Sequence, residues 1–288
     1  MNKNLLIGII SLFLFSICGS ALGADSQTTI KAFVSILPQA YFVERIGGTH
    51  VDVEVLVGPG QSPATYEPTP KQMAGLSRAQ IYFRIGTPFE NGFIDKTQKT
   101  YQNLTIVDTR KGVPLRYFRN SNGAEIPDPH IWLDPKRVKI QAHTIYETLS
   151  KFDSYHKSVF EINLQAFLVD LDRIDSEITH TLSAVKGGKL YVFHPAFGYF
   201  AESYGLTQVA VEIEGKQPSA KQLKGLIEAA KNDKVKVIFI EPQFAGKNAE
   251  TIARAIGGAV VPINPLPEDY LENFRTMASL IREALIHE

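Results

Sequence analysis

From Lys151 to Val185 the chain runs without a proline or a glycine, and Phe160, Leu164, Phe167, Leu171, Ile174, Ile178 and Leu182 recur at spacings of three or four. That is the period of one buried face of an α-helix. A helix of some 30 residues, rising ~1.5 Å per residue, would be about 45 Å long, enough to run across a whole domain rather than pack inside one. The pattern predicts a stiff strut between two lobes. A pair of ordinary helices broken near Asp170 to Asp172 is the competing reading of the same residues.

On either side of this stretch, short apolar runs alternate with segments of helical period, which argues for an α/β fold with two lobes, each a parallel sheet covered by helices. Expected strands are Ile30 to Ile36, Val51 to Val57, Ile81 to Ile85 and Leu104 to Val107 in the first half. Leu190 to Phe193, Gln208 to Val211, Val235 to Ile240 and Ala259 to Ile263 follow in the second. Ser219 reads as the N-cap of a helix carrying Leu223, Leu226, Ile227 and Ala230, and Ala249 to Ile256 as a helix stopped by Gly257-Gly258. The chain thus divides into a leader over residues 1–24, an N-terminal α/β lobe over 25–150, one long rigid linking helix over 151–186 and a C-terminal α/β lobe over 187–288. At 288 residues two lobes are the default.

Lys+Arg and Asp+Glu are equal at 30 each, so no overall basic field exists to gather a polyanion, and nucleic acid is excluded as a partner. Lys3, the apolar run Leu5 to Ile17 and the small residues of Ala21-Leu22-Gly23 have the order of an export signal, with the mature chain starting near Ala24. The run is shorter than the roughly 20 apolar residues of a membrane-spanning helix. Cys18, the sole cysteine, falls inside it, so disulfide and cysteine–zinc chemistry are excluded for the mature chain. A lipid anchor at Cys18 is disfavoured because Ile17 stands where a small residue is wanted. A soluble periplasmic monomer is expected.

Open parallel sheets bind ligands beyond the carboxyl ends of their strands. By that rule His194, Glu241 and Asn264, each just past an expected strand, converge on one rim of the second lobe. The loop Gly58 to Pro70 and the loop carrying His130 should face them from the first. Pro129 and Pro195 restrict the backbone beside His130 and His194, which lowers the cost of holding an imidazole as a metal ligand. Either histidine alone reads as a hydrogen-bonded loop residue; two meeting from opposite lobes read as a metal site. His50, His143, His156, His180 and His287 read as solvated. Trp132, Phe197 and Tyr199 read as core aromatics or as walls that keep water from the site.

The segments Ser35-Ile36-Leu37-Pro38, Ser62-Pro63-Ala64-Thr65-Tyr66-Glu67-Pro68-Thr69-Pro70, Asp128-Pro129-His130-Ile131-Trp132-Leu133-Asp134-Pro135, Phe193-His194-Pro195-Ala196-Phe197-Gly198-Tyr199-Phe200 and Glu241-Pro242-Gln243-Phe244 stand in this order along nearly the whole mature chain. In them the chain resembles the zinc/manganese-specific solute-binding proteins of bacterial ABC importers, the cluster A-I family. The resemblance implies two α/β lobes, one long linking helix, and a metal held by three histidines with a carboxylate or water. Carried over by position, His130 and His194 match the second and third histidines. Ala64 stands where the first is expected, and Asn264 stands where relatives place an aspartate. The implied site is degenerate. Glu241, Glu67 or waters would complete it, Glu241 being the preferred carboxylate and Asn264 a possible amide-oxygen donor. The span from Arg110 to Asp128 holds no histidine-rich loop.

The function implied is capture of a divalent metal between the lobes and delivery to an ABC importer permease, without catalysis. Imidazole donors favour zinc over manganese, which prefers oxygen. Two alternatives stay open: the same fold binding a metal chelate or acting in sensing, and a metal-dependent hydrolase. The second lacks a His-Glu-x-x-His pair and an identifiable general base.

Overall fold

A computed structural model describes residues 29–286 apart from 120–122, 213–217 and 245–246. The expected leader with Cys18, and His287, lie outside the described residues. The first lobe comprises β1 (Ile30–Ile36), α1 (Leu37–Gly47), β2 (Val51–Val57), α2 (Pro70–Leu76), β3 (Ile81–Arg84), α3 (Glu90–Thr100) and β4 (Thr105–Asp108), then a ribbon of β5 (Tyr117–Arg119) and β6 (Glu125–Pro127). Next come α4 (Pro135–Phe152) and α5 (Lys157–Leu182). The second lobe comprises β7 (Lys189–Val192), α6 (Gly198–Tyr204), β8 (Thr207–Ala210), α7 (Ala220–Asn232), β9 (Val237–Ile240), α8 (Lys247–Ile256), β10 (Ala259–Pro262) and α9 (Tyr270–Ile286).

Each lobe holds a four-stranded sheet, ordered β2-β1-β3-β4 in the first and β10-β9-β7-β8 in the second, with parallel pairings throughout. Parallel pairing needs a crossover, so helices cover the faces and the inner strands are apolar on both sides. In β1 only Lys31 is exposed, as that burial requires. The eight strands expected from apolar runs all form, within a residue or two at their ends. The β5–β6 ribbon was not expected: its strands have three residues each, too short to carry a period.

All seven periodic residues of α5, from Phe160 to Leu182, are buried. The helix runs unbroken through Asp170 to Asp172 for 26 residues, about 39 Å at 1.5 Å per residue. It begins later than the pattern suggests. Lys151 and Phe152 belong to the end of α4, and the chain turns at Asp153, whose carboxylate accepts the backbone N–H of His156 at 3.2 Å and meets its Nδ1 at 2.6 Å. Such a side-chain bond offers the backbone an alternative to helix, and proline-free sequence gave no sign of it.

Packing on α5 ties the two lobes together. Phe167 lies 6.0 Å from Tyr41 and 5.8 Å from Phe42 of α1, while Tyr270, from the second lobe's last helix, packs edge-on to Phe42 at 4.9 Å. Arg45 pairs with Asp170 at 2.7 Å, and Arg275 with Glu177 at 2.7 Å. One continuous buried cluster, including β1, α5, β7 and α9, therefore joins the two halves. Any opening of the cleft has to leave that cluster intact, which favours small displacements.

Candidate metal centre

The two histidines meet. His130 follows Pro129 and opens the short 3-10 turn Ile131–Leu133 before α4, while His194 follows β7 by one residue beyond Phe193. Their ring centroids are 5.3 Å apart, nearly perpendicular at 74°. Each imidazole is held by a carboxylate at the same atom. His130 Nδ1 lies 2.7 Å from Asp128 Oδ1, which also accepts the His130 backbone N–H at 3.0 Å, and His194 Nδ1 lies 2.6 Å from Glu212 Oε2. A carboxylate on Nδ1 makes that nitrogen the donor, so the lone pair of each ring resides on Nε2.

The backbones that carry these carboxylates are themselves hydrogen-bonded. Asp128 has no exposed side chain; its backbone N–H donates to the Arg116 carbonyl at 2.9 Å, and its carbonyl accepts the Tyr199 hydroxyl at 2.9 Å. Glu212, 8 % exposed, stands two residues past β8, and its backbone N–H donates to the Phe193 carbonyl at 2.8 Å. Phe244 stacks on His194 at 4.9 Å, and Trp132 lies 5.2 Å from His130. Trp132 Nε1 donates to the Pro265 carbonyl at 2.6 Å, and the Tyr270 hydroxyl donates to the Trp132 carbonyl at 2.7 Å. The loop bearing His130 is thereby fastened to the opposite lobe.

Burial lowers the pKa of His194, a push opposed by its bond to Glu212 and reinforced by His130. A neutral ring is the form that ligates a metal. Neither Glu241 nor Asn264 joins the pair. Glu241 is fully buried behind His194, where its two oxygens accept the His194 backbone N–H at 3.3 and 3.2 Å. Asn264 Oδ1 accepts the Leu266 N–H at 2.9 Å, and the residue lines an adjoining hollow with Leu37, Pro59 and Gly60. The strand-end rule thus finds the rim, but Glu241 past β9 and Asn264 past β10 turn back to serve the backbone. Glu212, two residues past β8, obeys the same rule and does face the cavity. Ala64 lines the shared cavity, whereas Glu67 is exposed. Among the described residues, no group of three or more histidine, cysteine, aspartate or glutamate side chains surrounds one ion position. His50, read as solvated, stacks on His156 at 3.7 Å.

Burial pushes the Glu241 carboxyl up to about 8, against the lowering effect of the backbone N–H groups it accepts, with Glu212 adding to the rise. Between the ordinary value of 4.5 and about 8 the folded protein therefore holds a proton that the unfolded chain has released, so stability falls as pH rises through this window. Glu241→Gln has no such proton. In the metal-free protein, chemical denaturation should show the wild type losing about 2 kcal/mol relative to the variant between pH ~6 and ~8. A constant gap between the two would refute ionisation of Glu241 in that range.

Comparison with known proteins agrees with this architecture. The family model described as "Zinc-uptake complex component A periplasmic" matches residues 33–284. The high-affinity zinc uptake system protein ZnuA of Bacillus subtilis is 27% identical over 271 residues, covering 88% of this chain and 85% of that protein. The zinc-binding protein AdcA of Streptococcus pyogenes is 27% identical over 290 residues, covering 92% of this chain but 56% of AdcA, so the chain spans little over half of that relative. A crystal structure of ZnuA aligns with TM-score 0.85 at 39% identity, covering 89% of this chain and 99% of that one. A zinc-bound ZnuA deletion mutant aligns with TM-score 0.85 at 40% identity, covering 89% and 98%. Among the described residues, no helix is long and apolar enough to cross a membrane.

Proposed function

We propose that this chain, which belongs to the family of periplasmic A components of zinc-uptake complexes, captures a zinc ion between its lobes and hands it to a membrane importer. The observation that carries the reading is the pair of imidazoles from opposite lobes, each turned by a carboxylate on Nδ1 so that Nε2 is left to ligate. Carboxylate–histidine–metal triads use this arrangement to fix the tautomer and raise the basicity of the ligating nitrogen. Zinc accepts nitrogen donors in a tetrahedral set, whereas manganese prefers oxygen. His130 and His194 would supply two positions. Water, or Glu212 released from His194, would supply the rest.

Glu241 serves this site indirectly by holding the backbone of His194, and Asn264 by ordering the turn that carries Pro265. The histidines would bind cargo, with no substrate activation required of them. Delivery to an ABC permease, export to the periplasm and action as a monomer follow from the family reading. Because one buried cluster runs through both lobes, release would proceed by a slight parting of the rims.

Calorimetric titration of chelator-stripped protein tests the proposal. Zinc should give a saturable heat at one ion per chain, and manganese should give no saturation over the same range. Absence of zinc binding would overturn the reading.

A further inference from the structure

We propose that the cleft takes zinc together with a small α-amino-carboxylate chelator, whose carboxylate is received by Arg110 while His130 and His194 hold the metal. The inference rests on the zinc-capture reading and names the form of the cargo. Its first support is size. The cavity bearing both histidines has a volume of about 800 Å³. An ion with two waters fills only about 60 to 100 Å³, at ~30 Å³ per water, whereas sites for small organic ligands run from roughly 300 to 1,000 Å³.

Its second support is coordination. Two imidazoles leave two tetrahedral positions open, and among the described residues no third histidine or carboxylate converges with them on one point. A bidentate amine–carboxylate ligand fills two positions at once.

The walls give the third. Phe118 and Ile126 of the β5–β6 ribbon, with Trp132 and Phe244, present apolar surface that a hydrated ion does not use, and Arg110 lines the same cavity. Its guanidinium is preset: Nε and Nη2 donate to Asp108 at 2.9 and 2.6 Å, so Nη1 is not engaged by that carboxylate. Gly86, at φ +88°, makes room for it, since a Cβ there would lie 2.3 Å from Arg110 Nη1. A rigid guanidinium beside a cavity is a receptor for a planar carboxylate, and apolar walls suit the side chain of an amino acid. The chelator would bind zinc through its amine nitrogen and one carboxylate oxygen, presenting the other oxygen to Arg110.

Equilibrium dialysis of the zinc-loaded protein against radiolabelled L-histidine tests this, alongside titration with zinc alone. The wild type should retain one histidine per zinc. Arg110→Gln and Gly86→Ala should each weaken that retention on the order of 10-fold or more, as loss of a charge-assisted bond does, with zinc-only affinity unchanged. Two substitutions at separate positions guard against a folding defect in either, which circular dichroism melts would reveal. Zinc bound normally with no histidine retained overturns the chelate proposal and leaves zinc capture standing. Equal retention by wild type and both variants overturns the role of Arg110. Failure to bind zinc in either condition removes the capture reading itself, and this proposal with it.

Discussion

Replacing His130 or His194 with alanine is expected to raise the dissociation constant for zinc by about 100-fold or more, and replacing both to abolish binding. Four-ligand structural zinc sites are worth roughly 10–16 kcal/mol, hence about 3 kcal/mol per ligand, and about 1.4 kcal/mol is tenfold in affinity. Here the protein offers two strong nitrogen donors, so each carries a larger share than in a full set. Competition against a fluorescent zinc chelator would measure the loss. Wild-type affinity in either alanine variant, with folding intact, would show that the ion does not sit between the rings.

The same measurement distinguishes ligands from the carboxylates that orient them. Asp128→Asn and Glu212→Gln keep shape and volume but weaken the hold on Nδ1, and loss of such a supporting partner typically costs about 10- to 100-fold in metal affinity. Asp128 is buried, its backbone is tied to Arg116 and Tyr199, and the Arg116 guanidinium lies 3.9 Å from its second carboxylate oxygen. Glu212 lines the cavity itself. A loss at Glu212→Gln as large as that at His194→Ala would therefore identify Glu212 as a direct ligand that exchanges imidazole for metal on binding.

The sequence was most informative where physics leaves few solutions. Apolar runs of four to seven residues between helical periods suit strands buried in a parallel sheet, so the eight sheet strands were legible to within a residue or two. Seven apolar positions at helical spacing likewise specified α5, because no other backbone puts Phe160 through Leu182 on one face. What escaped was set by polar side chains reaching backward. The turn at Asp153, the withdrawal of Glu241 onto the His194 backbone and that of Asn264 onto the Leu266 N–H each rest on a side-chain oxygen accepting a backbone amide. Strand-end position predicts that such residues gather at the rim; it does not predict whether they face the cleft or satisfy the backbone behind it. His130 and His194 escaped that ambiguity because each ring is held at Nδ1 by a carboxylate on its own side of the cleft, which leaves Nε2 for an outside partner.

Ala64→His should tighten zinc binding by roughly 10- to 100-fold, since a third imidazole adds up to about 3 kcal/mol and gives back about 1 kcal/mol in ordering the new side chain. The position favours the gain. Ala64 lines the cavity and is exposed, so an imidazole there displaces no packed atom. The loop that carries it is already stiff: Gly58 donates to Gln61 Oε1 at 2.8 Å, the Phe89 N–H reaches the Pro63 carbonyl at 3.3 Å, and Thr69 with Gln72 forms a reciprocal cap on α2. None of those bonds involves the side chain of residue 64. The substitution also sets the two forms of cargo against each other. A third protein nitrogen takes a position that a bidentate chelator needs, so zinc alone should bind more tightly while retention of L-histidine falls. Unchanged zinc affinity would mean that the loop points residue 64 away from the two Nε2 atoms; tighter zinc with undiminished histidine would mean that the chelator does not share the metal's coordination sphere.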